Sequence, residues 1–147
     1  MIGMVYMNNL ASIFREKKLK LTPQRIAVYK YLQSTKGHPS AETIFKALQP
    51  VYPTMSLATV YKALKTLVEV NLVQEINLGE GNSRYDGNPE PHSHLQCVEC
   101  SRVDDLEGIC FQGLNKEIKS NTDYDILYNQ IYFYGICPDC KNKQGEE

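Results

Sequence analysis

Two Cys-x-x-Cys pairs, Cys97-Val-Glu-Cys100 and Cys137-Pro-Asp-Cys140, limit what this chain can fold into more than any other feature. Two thiolates separated by two residues can turn onto one tetrahedral ion at a chain reversal, and two such knuckles complete four ligands. The 36 residues between the pairs exceed the spacing of a zinc ribbon and leave room for a strand, a helix and a further strand. A lone pair would fit redox chemistry. Two pairs in a chain without a secretory signal favour structural zinc over disulfides. The fifth cysteine, Cys110, reads as a packed helix residue.

The chain has 147 residues, enough for one ordinary domain or two small ones. Hydrophobic content of 42% and charged content of 22% are globular values, which sets disorder aside. No apolar run approaches bilayer length, so the expectation is a cytoplasmic protein with no membrane partner. The net charge of −1 conceals an asymmetry. Residues 1–80 carry ten Lys/Arg against five Asp/Glu, whereas residues 81–147 carry six against twelve. A basic half joined to an acidic half points to a polyanion partner for the first and other work for the second.

Residues 9–75 read as helices. Thr22-Pro23 sets a capping hydroxyl before a proline at the first helical position, and Val28, Tyr31 and Leu32 follow at helical spacing. Ser40 caps a helix with Ala41, Ile44, Phe45 and Leu48 on one face, and Pro50 and Pro53 break it. Ser56 caps the next, over 57–69, with Val60, Leu64, Leu67 and Val68. Residues 72–78 and 83–85 predict a hairpin around Gly79–Asn82, placed where a winged helix-turn-helix carries its wing. Gly87-Asn88-Pro89-Glu90-Pro91 is the linker. The expected division is 1–86, a hinge at 87–91, and 92–147. Beyond the hinge the pattern predicts strands at 94–98 and 102–106, a helix at 109–120 and a long strand over 124–136, making the whole chain α+β.

The three histidines are informative. His92-Ser93-His94 puts two imidazoles on one face of a strand, just before Cys97. Asp86 lies across the linker, and Asp104 and Asp105 follow Cys100. Imidazole and carboxylate without thiolate suit Fe(II), Mn(II) or zinc, so a second metal site is expected here. Taken alone, His38 before Pro39 reads as a turn residue and Asp86 as a hinge residue or hydrogen-bond acceptor.

Six segments carry a resemblance: Leu-Thr-Pro-Gln-Arg (21–25), His-Pro-Ser-Ala-Glu (38–42), Ser-Leu-Ala-Thr-Val-Tyr (56–61), Ser-Arg-Tyr-Asp (83–86), His92–Cys100 and Tyr134–Cys140. In this order and spacing the chain resembles the ferric uptake regulator (Fur) family along nearly its whole length. The resemblance implies an N-terminal winged-helix DNA reader, a C-terminal α/β dimerisation domain, and a homodimer on palindromic operator DNA. It also implies a structural zinc on Cys97, Cys100, Cys137 and Cys140. A regulatory Fe(II) or Mn(II) would sit on His38, Asp86, His92, His94 and Asp105. The aspartates at 86 and 105 follow the peroxide-sensing branch, where iron-catalysed oxidation of a ligand histidine releases DNA; the targets here would be His38 and His92. Iron-homeostasis repression is the alternative. Ser93 and Asn129 stand where many members carry further ligands, so that additional site is expected to be absent. On helix 57–69 Tyr61 is the base-contact candidate, with Lys62, Lys65, Lys20 and Arg25 meeting phosphate. Many members have arginine in place of Lys62. A reading of another class, a metallohydrolase using His92 and His94 or a thiol oxidoreductase, would leave the helix-turn-helix half without a role.

Overall fold

Three hydroxyl caps set the helices of the first half. The computed structural model describes residues 2–79, 81–109 and 111–145; Glu80 at the hairpin tip and Cys110 lie outside them. Helix α1 spans Ile2–Glu16. The Thr22 hydroxyl accepts from the Arg25 amide at 3.3 Å to open α2, Pro23–Ser34. Ser40 accepts from Thr43 N at 3.2 Å to open α3, Ala41–Leu48. Ser56 accepts from Thr59 N at 3.2 Å to open α4, Leu57–Glu69. Each cap satisfies one of the amides that a helix start leaves without an internal partner.

The apolar stripes of these helices meet in one core. Val28 and Leu32 of α2, Ile44 of α3, and Val60, Leu64 and Leu67 of α4 are buried together, with Leu10 and Phe14 closing it from α1. Strands β1, Gln74–Asn77, and β2, Ser83–Asp86, then pair antiparallel with Ile76 opposite Arg84. Gly79 and Gly81 take positive φ (84° and 73°), as the turn between the strands requires. Helices α2–α4 followed by this hairpin form a winged helix-turn-helix.

The chain divides into two compact units, Met1–Pro89 and Glu90–Glu147. The second holds a three-stranded sheet in the order β4-β3-β5, from β3 (Ser93–Cys97), β4 (Val103–Leu106) and β5 (Tyr132–Gly135). β3 runs antiparallel to β4 and parallel to β5, with His94 opposite both Asp105 and Tyr132. Helix α5 spans Gln112–Ser120 and α6 spans Pro138–Gln144. The long strand expected over 124–136 is only four residues. β3 offers β5 a ladder from His94 to Cys97 and no further, so the alternating residues upstream of Tyr132 have no strand to pair with. Tyr124, Leu127 and Tyr128 there are 79%, 86% and 76% exposed.

Candidate metal centre

The sheet brings the two cysteine knuckles together. Cys97 ends β3, Cys100 lies in the turn that follows, Cys137 caps α6 and Cys140 sits in its first turn. In the register, Cys97 stands opposite Gly135, which delivers Cys137 two residues later. Pro138 at the first position of α6 needs no amide partner there. Ser101, at φ 61°, reverses the chain into β4, and its amide donates to the Cys97 carbonyl at 2.9 Å.

The four sulfurs lie within 4.8 Å of one another, and Cys100 Sγ is 3.8 Å from Cys137 Sγ. Zn–S bonds of 2.3 Å at tetrahedral angles put neighbouring sulfurs about 3.8 Å apart. A disulfide needs sulfurs near 2.05 Å, and all four are free thiols. Cys97 is lowered to about 6, chiefly because the Cys137 amide donates to its sulfur, then by the Cys100 amide. Cys140 is pushed up to about 12, first by its hydrogen bond with Cys137 and then by burial. Arg102 ties the knuckles from outside, donating to Asp104 at 2.9 Å and to Asp139 at 2.6 Å. No sequence pattern announced that role.

A second donor set with no thiolate lies in the same unit. His92 Nε2 is 2.9 Å and His94 Nε2 3.4 Å from the same atom, Asp105 Oδ1. His92 Nδ1 is 2.6 Å from the Glu90 carbonyl oxygen, which can only accept, so Nδ1 carries the proton. In a neutral His92 the Nε2 lone pair then faces a carboxylate oxygen. Two acceptors at 2.9 Å call for a cation, either a second proton on the ring or a metal. His94 is 4% exposed.

The first unit carries a matching pair. His38 and Asp86 are 3% and 7% exposed, with His38 Nε2 3.2 Å from Asp86 Oδ2. His38 has φ 47°, a left-handed conformation uncommon outside glycine. It is held there from β2: Arg84 Nη1 donates to the His38 carbonyl at 3.4 Å and Tyr85 N to that of Pro39 at 3.0 Å. Asp86 Oδ1 accepts from Asn88 N at 2.8 Å. The start of the hinge is pinned too. Gln33 Nε2 donates to the Gly87 carbonyl at 2.7 Å and Gln74 Nε2 to that of Asn88 at 3.0 Å. A Cβ on Gly87 would meet Leu32 O at 2.8 Å, so the chain passes too close to α2 for any side chain.

On the helix-turn-helix, Tyr61, Lys62 and Lys65 are exposed on α4, and Lys20 is exposed in the loop between α1 and α2. Arg25 is already engaged. Its guanidinium donates to the Lys20 carbonyl and lies 5.9 Å above the Phe14 ring, so it shapes the loop that presents Lys20.

A winged helix followed by an α/β unit with a four-cysteine cluster is the arrangement of a DNA-binding regulator with a candidate metal site. Residues 16–134 match the ferric uptake regulator family, and the chain belongs to that family, whose members are transcriptional regulators and not enzymes. It is 69% identical over 137 residues to the transcriptional regulator PerR of Clostridium acetobutylicum, covering 93% of this chain and 99% of the relative. It is 33% identical to the peroxide-responsive repressor PerR of Staphylococcus aureus, covering 92% and 90%. In fold it resembles the Helicobacter pylori ferric uptake regulator, a protein with three functional metal-binding sites, at a TM-score of 0.76 and 20% identity, covering 92% and 91%. Among the described residues no helix is long and apolar enough to cross a membrane.

Proposed function

We propose that this chain is a homodimeric, metal-dependent repressor of palindromic operators that responds to peroxide. Its regulatory ion would be Fe(II) or Mn(II), held by His38 and Asp86 from the first unit and by His92, His94 and Asp105 from the second. Zinc on Cys97, Cys100, Cys137 and Cys140 would serve structure alone. The observation that carries the regulatory site is His92, whose Nδ1 proton is fixed by Glu90 and whose Nε2 faces the Asp105 carboxylate. The 69% identity to a PerR regulator supports the peroxide reading.

The residues have distinct work. Glu90 fixes the His92 tautomer, and the Asn88 amide orients Asp86. Arg84 and Tyr85 hold the His38 turn in place. Joining the two donor sets restricts the hinge, and two readers in a dimer then reach successive major grooves about one helical turn apart. Fe(II) in this site would supply one-electron reduction of peroxide, chemistry that Mn(II) would not supply. His38 and His92 would be the imidazoles that the oxidant modifies, and oxidation of either would weaken the metal site and release DNA.

Gel shift with AT-rich palindromic DNA tests the regulator. Retardation should require Mn(II) or Fe(II) and vanish with chelator. Mass spectrometry after mild peroxide tests the sensor, with one oxygen expected on the His38 or His92 peptide of iron-loaded protein and none with Mn(II). An iron-loaded protein that stays unmodified while still shifting DNA would make iron homeostasis the function.

A further inference from the structure

The hydroxyl of Tyr61, on the exposed side of α4, donates to Glu42 Oε1 at 2.7 Å. Glu42 stands in the first turn of α3, a helix held by its Ser40 cap. The bond holds the Glu42 carboxyl below its ordinary range and pushes the Tyr61 phenol up; in each case it is the largest cause. Tyr61 is nonetheless 43% exposed, so its ring stays presented to solvent while its one donor is in use. Glu42 and Tyr61 border a cleft of about 360 Å³ between α4 and the hairpin, also lined by Tyr85, Glu75, Asn82 and Ser83. The second carboxylate there, Glu75, accepts from the Ser83 hydroxyl at 2.7 Å.

We infer that Glu42 is a positioning residue for sequence readout, locking Tyr61 as an apolar reader of the major groove. The inference rests on the reading of α4 as the base-contacting helix. A phenol already donating to a carboxylate would have to break a charge-assisted bond to donate to a base. What remains to it is the ring and an oxygen that can only accept, and the counterpart of the ring on the major-groove edge is the thymine methyl. Fixing the ring beforehand removes the loss of side-chain freedom that a loose tyrosine would suffer on binding. The carboxylate is otherwise unfavourable beside DNA, since it repels phosphate. Its place next to the reading helix therefore fits selectivity and not general affinity.

The test uses the full-length zinc protein loaded with Mn(II), and a duplex selected by the wild type from a random pool. Affinity is measured for that duplex, for its variants with single thymine-to-uracil changes, and for a random-sequence duplex. Glu42→Ala should lower the selected-to-random affinity ratio about tenfold and erase the penalty for uracil. Its affinity for random DNA should hold or rise, because a negative charge has gone. Glu42→Gln keeps the acceptor and should stay within about twofold of the wild-type ratio. Adding Glu42→Ala to Tyr61→Phe should cause no further loss of discrimination. An equal fall in affinity for both duplexes would overturn the inference, since it marks a merely structural Glu42. So would Glu42→Ala with wild-type discrimination and uracil sensitivity while Tyr61→Ala loses both, an outcome that leaves Tyr61 as the reader. If Tyr61→Ala itself keeps both properties, the reading of α4 fails and the inference with it.

Discussion

His92 shows how much a single ring can decide. Its two nitrogens meet two acceptors, the Glu90 carbonyl and the Asp105 carboxylate. His92→Ala should therefore abolish Mn(II)-dependent operator binding while leaving one zinc per chain and the helical content unchanged, as metal analysis, gel shift and circular dichroism would show. Loss of zinc in this variant would mean that the two metal sites are not separate. The nearness of His92 and His94 to acidic residues was legible in the sequence, whereas His38 taken alone read as a turn residue. The orienting groups were not legible, because a backbone carbonyl such as that of Glu90 belongs to every residue and only geometry selects it. Tyr85 gives a second prediction at this scale. Burial, aided by the Glu75 carboxylate, pushes its phenol up to about 12. A phenol raised in the folded state contributes stability that is present below its unfolded value near 10 and lost as pH rises through 12. The thermal midpoint of the wild type should fall more steeply than that of Tyr85→Phe between those values.

At the level of elements, helices were easier to read than strands. Ser40, Ser56 and Thr22 mark their own helix starts, since a cap is a bond between residues three apart. Ser56→Ala should cost about 1 kcal/mol by urea unfolding, and Leu64→Ala in the core about 2–5 kcal/mol. A cap loss equal to the core loss would contradict the burial of Leu64, which is fully enclosed. The strand over 124–136 was over-read because alternation reports side-chain pattern and not the partner. Only β3 decides where β5 ends, and β3 is five residues long. The place of Arg25 in the loop, against Phe14 and the Lys20 carbonyl, was likewise not legible, because both partners are set by the fold and not by spacing.

Across the molecule, the two units differ in how they are held. The described core cluster lies wholly in the first. In the second, the buried apolar side chains among those described are Cys97, Val103 and Cys137, two of them thiols. Leu95, Phe133, Tyr134 and Ile136 stay partly or largely exposed. So small a core requires a staple and a cover, the proposed zinc and the proposed second copy. Removing zinc with a strong chelator, or Cys100→Ser, should melt the second unit and the dimer while the first retains its helices, read by hydrogen exchange and sedimentation. Retention of exchange protection in β3 and β4 without metal would refute the staple.

The pinned start of the hinge has one further consequence for the proposed regulatory site. With Gly87 and Asn88 held by Gln33 and Gln74, only Pro89, Glu90 and Pro91 separate Asn88 from His92. So short a tether keeps each half of the donor set in the presence of the other at an effective concentration in the millimolar range or above. Capture of an ion by one half is then followed by capture within the same chain, independent of how many copies the cell holds. Occupancy of the proposed site would track the free metal level and not the abundance of the regulator, so a cell could change its stock of this protein without resetting the threshold at which each copy responds.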